Sequence, residues 1–137
     1  MDLRRSVIVD GHEDIAYNAL ALGRNFLSEL AALRSQSPGS EGKPTVCLPE
    51  LVKGNVRIVF ATLFAAPCGD TLVQKLGGPC YTTPDEARAQ ALEQLRYYKD
   101  LERTGRVSII RSKEELEEHL SDPETPSKKE RGRRETR

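Results

Sequence analysis

The chain has 137 residues, 37% of them hydrophobic and 31% charged, which suits one ordinary domain and excludes two well-cored ones. A closed eight-stranded α/β barrel takes about 250 residues, so this length excludes that too. Lys and Arg total 21 and Asp and Glu total 21, a net charge of +0 that gives no whole-chain attraction toward nucleic acid, an anionic membrane or an acidic substrate.

The first element is Ser6-Val7-Ile8-Val9, a β-branched run halted by Asp10-Gly11. A continuous apolar run of this kind predicts a strand buried on both faces of a parallel sheet. Ile15, Ala16, Ala19, Leu20, Leu22, Phe26, Leu27, Leu30 and Ala31 then recur mostly at three- and four-residue spacing. That spacing predicts helix from about Asp14 to Leu33, with a break near Gly23. Ser35 to Pro44 carries no hydrophobic residue and reads as a loop. Leu48 to Lys53 predicts a short helical turn ending at Gly54, followed by a second central strand whose apolar run starts at Ile58 and reaches Phe64. Gly69 to Thr83 reads as a long loop. Its Gly77-Gly78-Pro79 is a turn rather than a phosphate loop, because no Lys-Ser/Thr follows.

Thr83-Pro84-Asp85-Glu86 opens the strongest helix: Thr83 caps, Pro84 suits the first helical position and Glu86 completes a capping box. Ala87, Ala91, Leu92, Leu95, Tyr98 and Leu101 form its apolar stripe, and Gly105 stops it. Val107 to Ile110 reads as a third strand, and Ser112 to Glu115 as a second capping box that starts a helix through Leu120. The order is strand, helix, loop, strand, helix, strand, helix, tail, which predicts about three parallel strands with crossover helices over residues 1–120. Residues 121–137 contain no hydrophobic side chain and read as a disordered basic tail, with six Lys or Arg against two Glu from Ser127 to Arg137.

Absence of Trp and 5% aromatic residues argue against a stacking surface for single-stranded nucleic acid. Ile58 to Pro67 is far shorter than the roughly 20 residues of a membrane span, and no secretory signal precedes the first strand. Cys47, Cys68 and Cys80, spaced by 21 and 12, form no Cys-x-x-Cys. They read as free thiols of a reducing compartment, hence a cytoplasmic localisation, with one disulfide plus a leftover thiol as the alternative.

The motif that carries chemistry is Asp10-Gly11-His12-Glu13-Asp14, at the end of the first strand. Residues i and i+2 of extended backbone point to one side, so His12 and Asp14 offer an imidazole nitrogen and a carboxylate oxygen to a common point. Zinc accepts both ligand types, and the carboxyl ends of parallel strands are where function collects in such folds. Gly11 allows a tight turn, and Asp10 is placed to orient the imidazole from behind. A plainer alternative has Asp14 capping the helix that follows, with His12 at the surface. His119, among Glu114, Glu115, Glu117 and Glu118, reads as solvated.

Val7-Ile8-Val9-Asp10-Gly11-His12-Glu13-Asp14 resembles the opening strand and metal motif of the membrane (renal) dipeptidase family, zinc peptidases of the amidohydrolase-like barrel superfamily. The resemblance extends to Leu51-Val52-Lys53-Gly54-Asn55-Val56-Arg57-Ile58-Val59-Phe60-Ala61-Thr62-Leu63-Phe64, similar to that family's second strand and the turn before it. It spans residues 6 to 120, which correspond to the N-terminal third of a family member. The resemblance implies an incomplete (β/α)8 TIM-type barrel, with His12 and Asp14 as ligands of one zinc of a centre that is binuclear in intact members. At most one partial zinc site would then reside here, with a dipeptide as substrate, metal-activated water as nucleophile and little or no turnover from the chain alone. The family's bridging glutamate has no counterpart after Leu120, and neither Glu124 nor Glu130 lies in a hydrophobic strand to take that role. Other readings are a metallohydrolase of a different amide or lactam, or a non-enzymatic fragment whose basic tail binds an acidic partner.

Overall fold

The computed structural model describes residues 7–36, 43–71, 75 and 77–121. Most of the Ser35–Pro44 loop and the basic tail therefore lie outside the described residues. The fold is mixed α/β with parallel strands and no closed barrel among the described residues. In chain order the elements are β1 (Ile8–Glu13), α1 (Ile15–Leu22), α2 (Leu30–Gln36), α3 (Leu48–Lys53), β2 (Val56–Ala61), β3 (Ala66–Pro67), β4 (Cys80–Tyr81), α4 (Pro84–Arg103) and α5 (Lys113–Ser121). The chain divides into two compact units, Met1–Gln94 and Leu95–Arg137, with the division falling between two residues of α4. No described helix is long and apolar enough to cross a membrane.

In the first unit, β1 pairs with β2 in parallel, and β3 pairs with β4 in parallel over two residues each. The β1–β2 register runs Ile8↔Val56, Val9↔Ile58, Asp10↔Val59 and Glu13↔Ala61. From Asp10 to Glu13 the first strand advances three residues while its partner advances two, so the extra residue falls at Gly11-His12. A bulge of this kind bends its strand and re-aims a side chain.

Full burial of these strands, expected from their apolar runs, is not what the fold provides. Ile8, Val9 and Phe60 are 48%, 51% and 62% exposed. The reason is that, among the described residues, β1 and β2 form a sheet of two strands only, which leaves each an unpaired edge and an incompletely covered face there. The core instead lies on α1 and the chain that follows it, where Ile15, Ala16, Tyr17, Phe26, Leu33, Cys47 and Ala66 are buried. Phe64 packs edge-on against Tyr17, with ring centroids 5.0 Å apart.

The long first helix breaks where glycine permits it. Gly23 adopts φ 64°, a left-handed cap, and α2 starts only at Leu30. After α3 the left-handed residue is Asn55 (φ 55°) rather than Gly54 (φ −78°). Asn tolerates that conformation, and a Cβ on Gly54 would sit 3.2 Å from the Glu50 carbonyl oxygen.

The free-thiol reading is overturned for two of the three cysteines. Cys68 and Cys80 form a disulfide, and Cys47 is the free, buried thiol. The bond lies beside the β3–β4 ladder, where Ala66 pairs with Cys80 and the Cys68 amide donates to the Tyr81 carbonyl at 2.8 Å. A ladder of two residues per strand is too short to close a loop by itself, and a crosslink of this span contributes about 3 kcal/mol. The thiol argument for a reducing compartment falls away with it. Native, unreduced protein is expected to take up no alkylating reagent, unfolded unreduced protein one equivalent, and unfolded reduced protein three. Three equivalents without reductant, counted by mass spectrometry, would remove the disulfide from the structure.

The start of α4 belongs to the first unit, and the second unit holds the end of α4 and α5. The Thr83–Glu86 capping box at the start of α4 forms both ways: the Glu86 amide donates to Thr83 Oγ1 at 3.3 Å and the Thr83 amide to Glu86 Oε2 at 3.2 Å. Hydrogen bonds from the Thr82 amide and hydroxyl, and then from the Thr83 amide, hold the Glu86 carboxyl below the usual carboxylate range. At the far end Gly105 turns the chain with φ 73°. The third strand expected at Val107–Ile110 does not form. The Ile109 amide donates to Glu102 Oε1 at 3.1 Å, so a side chain takes the donor that a neighbouring strand would otherwise use. Arg111 closes the turn through a 2.6 Å ion pair with Glu102. At α5 the Glu115 amide donates to Ser112 Oγ, while the Glu115 carboxylate accepts from Arg111 N one residue earlier than a standard box. His119 is partly buried rather than fully solvated.

Candidate metal site

His12 lies at the carboxyl end of β1, in the bulge, and Asp14 follows as the N-cap of α1. Of the plainer alternative, His12 does lie at the surface, its side chain 72% exposed, but the Asp14 side-chain cap does not form. Asp14 makes no side-chain capping hydrogen bond, and its backbone (φ −85°, ψ 47°) turns the carboxylate elsewhere. Its Oδ1 accepts a short hydrogen bond from the Thr62 hydroxyl, and its Oδ2 lies 3.6 Å from His12 Nε2. Thr62 directly follows β2, so the carboxyl ends of both parallel strands converge here. The Thr62 amide also donates to the Glu13 carbonyl at 3.0 Å and extends the pairing past the ladder.

The geometry allows a test of fit for zinc. At 3.6 Å, His12 Nε2 and Asp14 Oδ2 are too far apart for a hydrogen bond. Two ligands of a tetrahedral zinc, each about 2.0–2.1 Å from the ion, lie about 3.3 Å apart. The pair therefore needs a shift of only a few tenths of an ångström to share one ion. The imidazole is 72% exposed and the carboxylate 32%, so an ion has access. Thr62 has one hydroxyl proton and two acceptors in reach, the Glu13 carbonyl and Asp14 Oδ1. The nearer, charged acceptor takes it, which leaves Asp14 Oδ2 facing the imidazole.

Asp10 holds the loop rather than the ring. Its Oδ1 accepts the backbone amide of His12 at 3.1 Å, a turn closed by a side chain, whereas its expected role is to orient the imidazole. Glu13 adds a third carboxyl to the cluster. Burial, then the charge of Asp10, a hydrogen bond with Asp10 and the charge of Asp14 push the Glu13 carboxyl up to about 6, with His12 opposing. Among the described residues no group of three or more His, Cys, Asp or Glu is arranged around one metal position. Two ligands fit; the chain's described residues do not present a third.

The raised Glu13 carboxyl has a stability consequence. A folded-state value above the unfolded one favours the protonated form on folding, so its contribution is present below about pH 4.5 and lost as pH rises through about 6. In metal-free protein, Glu13→Gln is expected to gain stability over the parent between pH 4.5 and pH 7. The gain is less than about 1 kcal/mol because solvent screens a partly exposed group. Urea midpoints of both proteins at the two pH values check this; a constant difference would mean that Glu13 does not titrate in that window.

Thr62 is the site residue that reading the chain passed over, and nothing local could reveal it: its role depends on β1 and β2 lying side by side. A scan of protein-family models, of curated proteins and of solved structures found no match for this chain.

Proposed function

We propose that the chain carries the first metal ligands of a zinc-dependent dipeptidase, with His12 and Asp14 binding one ion. The observation that carries this reading is the diversion of Asp14 from its cap: a carboxylate at a helix N-terminus leaves the amides beside it, is held by Thr62 and faces an imidazole at nearly the ligand spacing of zinc. The resemblance of Val7–Asp14 and Leu51–Phe64 to the membrane dipeptidase family supports the same reading and supplies the substrate class.

Each residue has a defined part. His12 offers Nε2 and Asp14 offers Oδ2; Thr62 fixes the carboxylate by occupying Oδ1, and Asp10 fixes the bulge through the His12 amide. Zinc, when bound, supplies acidification of a water and polarisation of the scissile carbonyl. A catalytic zinc takes three protein ligands, of which this reading supplies two, His12 and Asp14.

Zinc titration followed by NMR of the histidine rings tests the proposal. The His12 ring resonances are expected to move saturably with zinc while those of His119 stay in place, and dipeptide turnover is expected below about 1 s⁻¹. A His12 ring left unmoved by millimolar zinc would overturn the metal assignment. If the zinc-loaded His12 signals respond to a lactam and not to a dipeptide, the metal assignment stands and the substrate class changes.

A further inference from the structure

Asn18 is the one amide side chain on α1, a helix whose other residues are Ile, Ala, Leu and Tyr. Asn is a weak helix former because its side chain competes for backbone groups, so a half-buried Asn in a helix interior has its own bonds to account for. Here both ends of the amide are engaged. Nδ2 donates to the Asp14 carbonyl at 2.9 Å, and Oδ1 accepts from Arg24 Nη1 at 2.7 Å. A carbonyl only accepts and a guanidinium only donates, so the two partners demand the same amide orientation.

The Asp14 carbonyl also accepts the Asn18 backbone amide at 3.0 Å, so one residue supplies it with two donors. A carbonyl oxygen has two lone pairs, and with both filled the peptide plane after Asp14 has little freedom to turn. That plane sets ψ of Asp14, which is 47° where an ordinary capping residue is extended. Thr62 holds the carboxylate of the same residue, so Asp14 is gripped at its backbone and at its side chain. Arg24 reaches Asn18 because Gly23 leaves the helix in left-handed backbone (φ 64°), a turn that also brings the Arg24 amide to the Asn18 carbonyl at 3.1 Å. Its side-chain bond to Oδ1 is charge-assisted, and it polarises the amide so that Nδ2–H donates more strongly.

We propose that Asn18 is a positioning residue for the metal ligand Asp14, with Arg24 orienting its amide, so that the Asp14 carboxylate is kept from capping α1 and is presented to His12. This inference rests on the metal reading above. Without the Asn18 side chain the helical bond to the Asp14 carbonyl persists, but ψ relaxes toward the extended region. The carboxylate then swings to the helix N-terminus, where the Tyr17 amide is the third donor, and Oδ2 leaves the imidazole. A role in the helix alone is distinguishable, because alanine is a better helix former than asparagine and would leave the site intact on that account.

Variants of the ¹⁵N-labelled full chain test it through two readouts: backbone amide shifts without metal, and His12 ring signals titrated with zinc chloride. Asn18→Ala is expected to move the Tyr17 amide proton downfield as it gains the carboxylate, and to weaken zinc binding about tenfold. Arg24→Ala is expected to move the same proton in the same direction and to weaken zinc binding about threefold, with Arg24→Lys, which keeps the charge and a donor, restoring most of both. Leu20→Ala, an exposed position on the same helix, is expected to leave both readouts unchanged. If the Asn18 variant does not fold, the two Arg24 variants decide. Zinc bound by Asn18→Ala as tightly as by the parent, a Tyr17 amide left in place in the folded variants, or equal losses in Leu20→Ala would overturn the proposal. A parent chain whose His12 ring ignores zinc would instead fail the metal reading, and the metal-free Tyr17 shift would still decide whether Asn18 keeps Asp14 from capping.

Discussion

Replacing Gln94 with alanine is expected to destabilise the protein by about 2–4 kcal/mol, the largest effect of any single substitution proposed for its stability. Gln94 is 4% exposed and is the buried polar residue of the described chain. Its amide clamps one peptide unit of the segment beyond β2: the Phe64 amide donates to Gln94 Oε1 at 2.8 Å, and Gln94 Nε2 donates to the Phe64 carbonyl. The clamp substitutes for a strand neighbour, because a peptide group that leaves a two-stranded sheet has no ladder partner. Alanine removes both partners at once and leaves two backbone groups unmet around the Phe64–Tyr17 contact. Gln94→Glu separates the two bonds. The introduced carboxyl still accepts from the Phe64 amide, but when ionised it faces the Phe64 carbonyl with no proton to give, so this variant is expected to recover stability as the pH falls and the carboxyl protonates. Urea unfolding at pH 7 and pH 5 checks both. A loss under about 1 kcal/mol for the alanine variant would mean that water replaces the clamp.

Removing either member of the His12–Asp14 pair is expected to lower zinc affinity by about a hundredfold or more, since each substitution leaves a single protein ligand. Thr62→Val is expected to lower it by about tenfold, through a carboxylate that is no longer held, with Thr62→Ser restoring most of the loss. His119→Ala supplies the comparison, because zinc retained by His12→Ala but lost in the His119 variant would move the metal to a different place in the chain. Competition against a chromophoric zinc indicator reads all of these. The graded order, ligands first and Thr62 second, separates coordination from a general loss of structure. Equal losses for all three substitutions, tracking their stability, would count against coordination.

Much of the local architecture was legible in the chain because its signals act over three or four residues. Thr83 and Glu86 form the reciprocal cap that their spacing predicts, and Gly23 and Gly105 end helices in left-handed backbone. The α4 stripe was less fully read. Leu92 is 38% exposed, while Gln94, Tyr98 and Leu101 are the buried positions along that helix. A glutamine three residues after Ala91 and four before Tyr98 lies on the apolar face, and that placement was the available sign of a buried amide.

Where an outcome depended on a distant partner, the residues alone were silent. Val107 to Ile110 has the composition of a strand, yet the Glu102 carboxylate captures its amide and no ladder forms. Cys68 and Cys80 read as thiols until the β3–β4 pairing brings them together. Even the motif at Asp10–Asp14 was only half readable. Identity and spacing named His12 and Asp14, but whether Asp14 would cap its helix or turn away depended on Thr62, 48 residues further on.

By itself, then, the order of residues determined where helices start and stop, which segments favour strands, and which two side chains have the chemistry to hold a cation. Those choices rest on short-range forces: backbone conformation, capping bonds and the 3.6-residue period. Tertiary structure alone decided which strands found partners, which thiols were joined and which way the Asp14 carboxylate faced. Each of those needs two groups far apart in the chain to meet, and no local preference contains the closure of the loop between them.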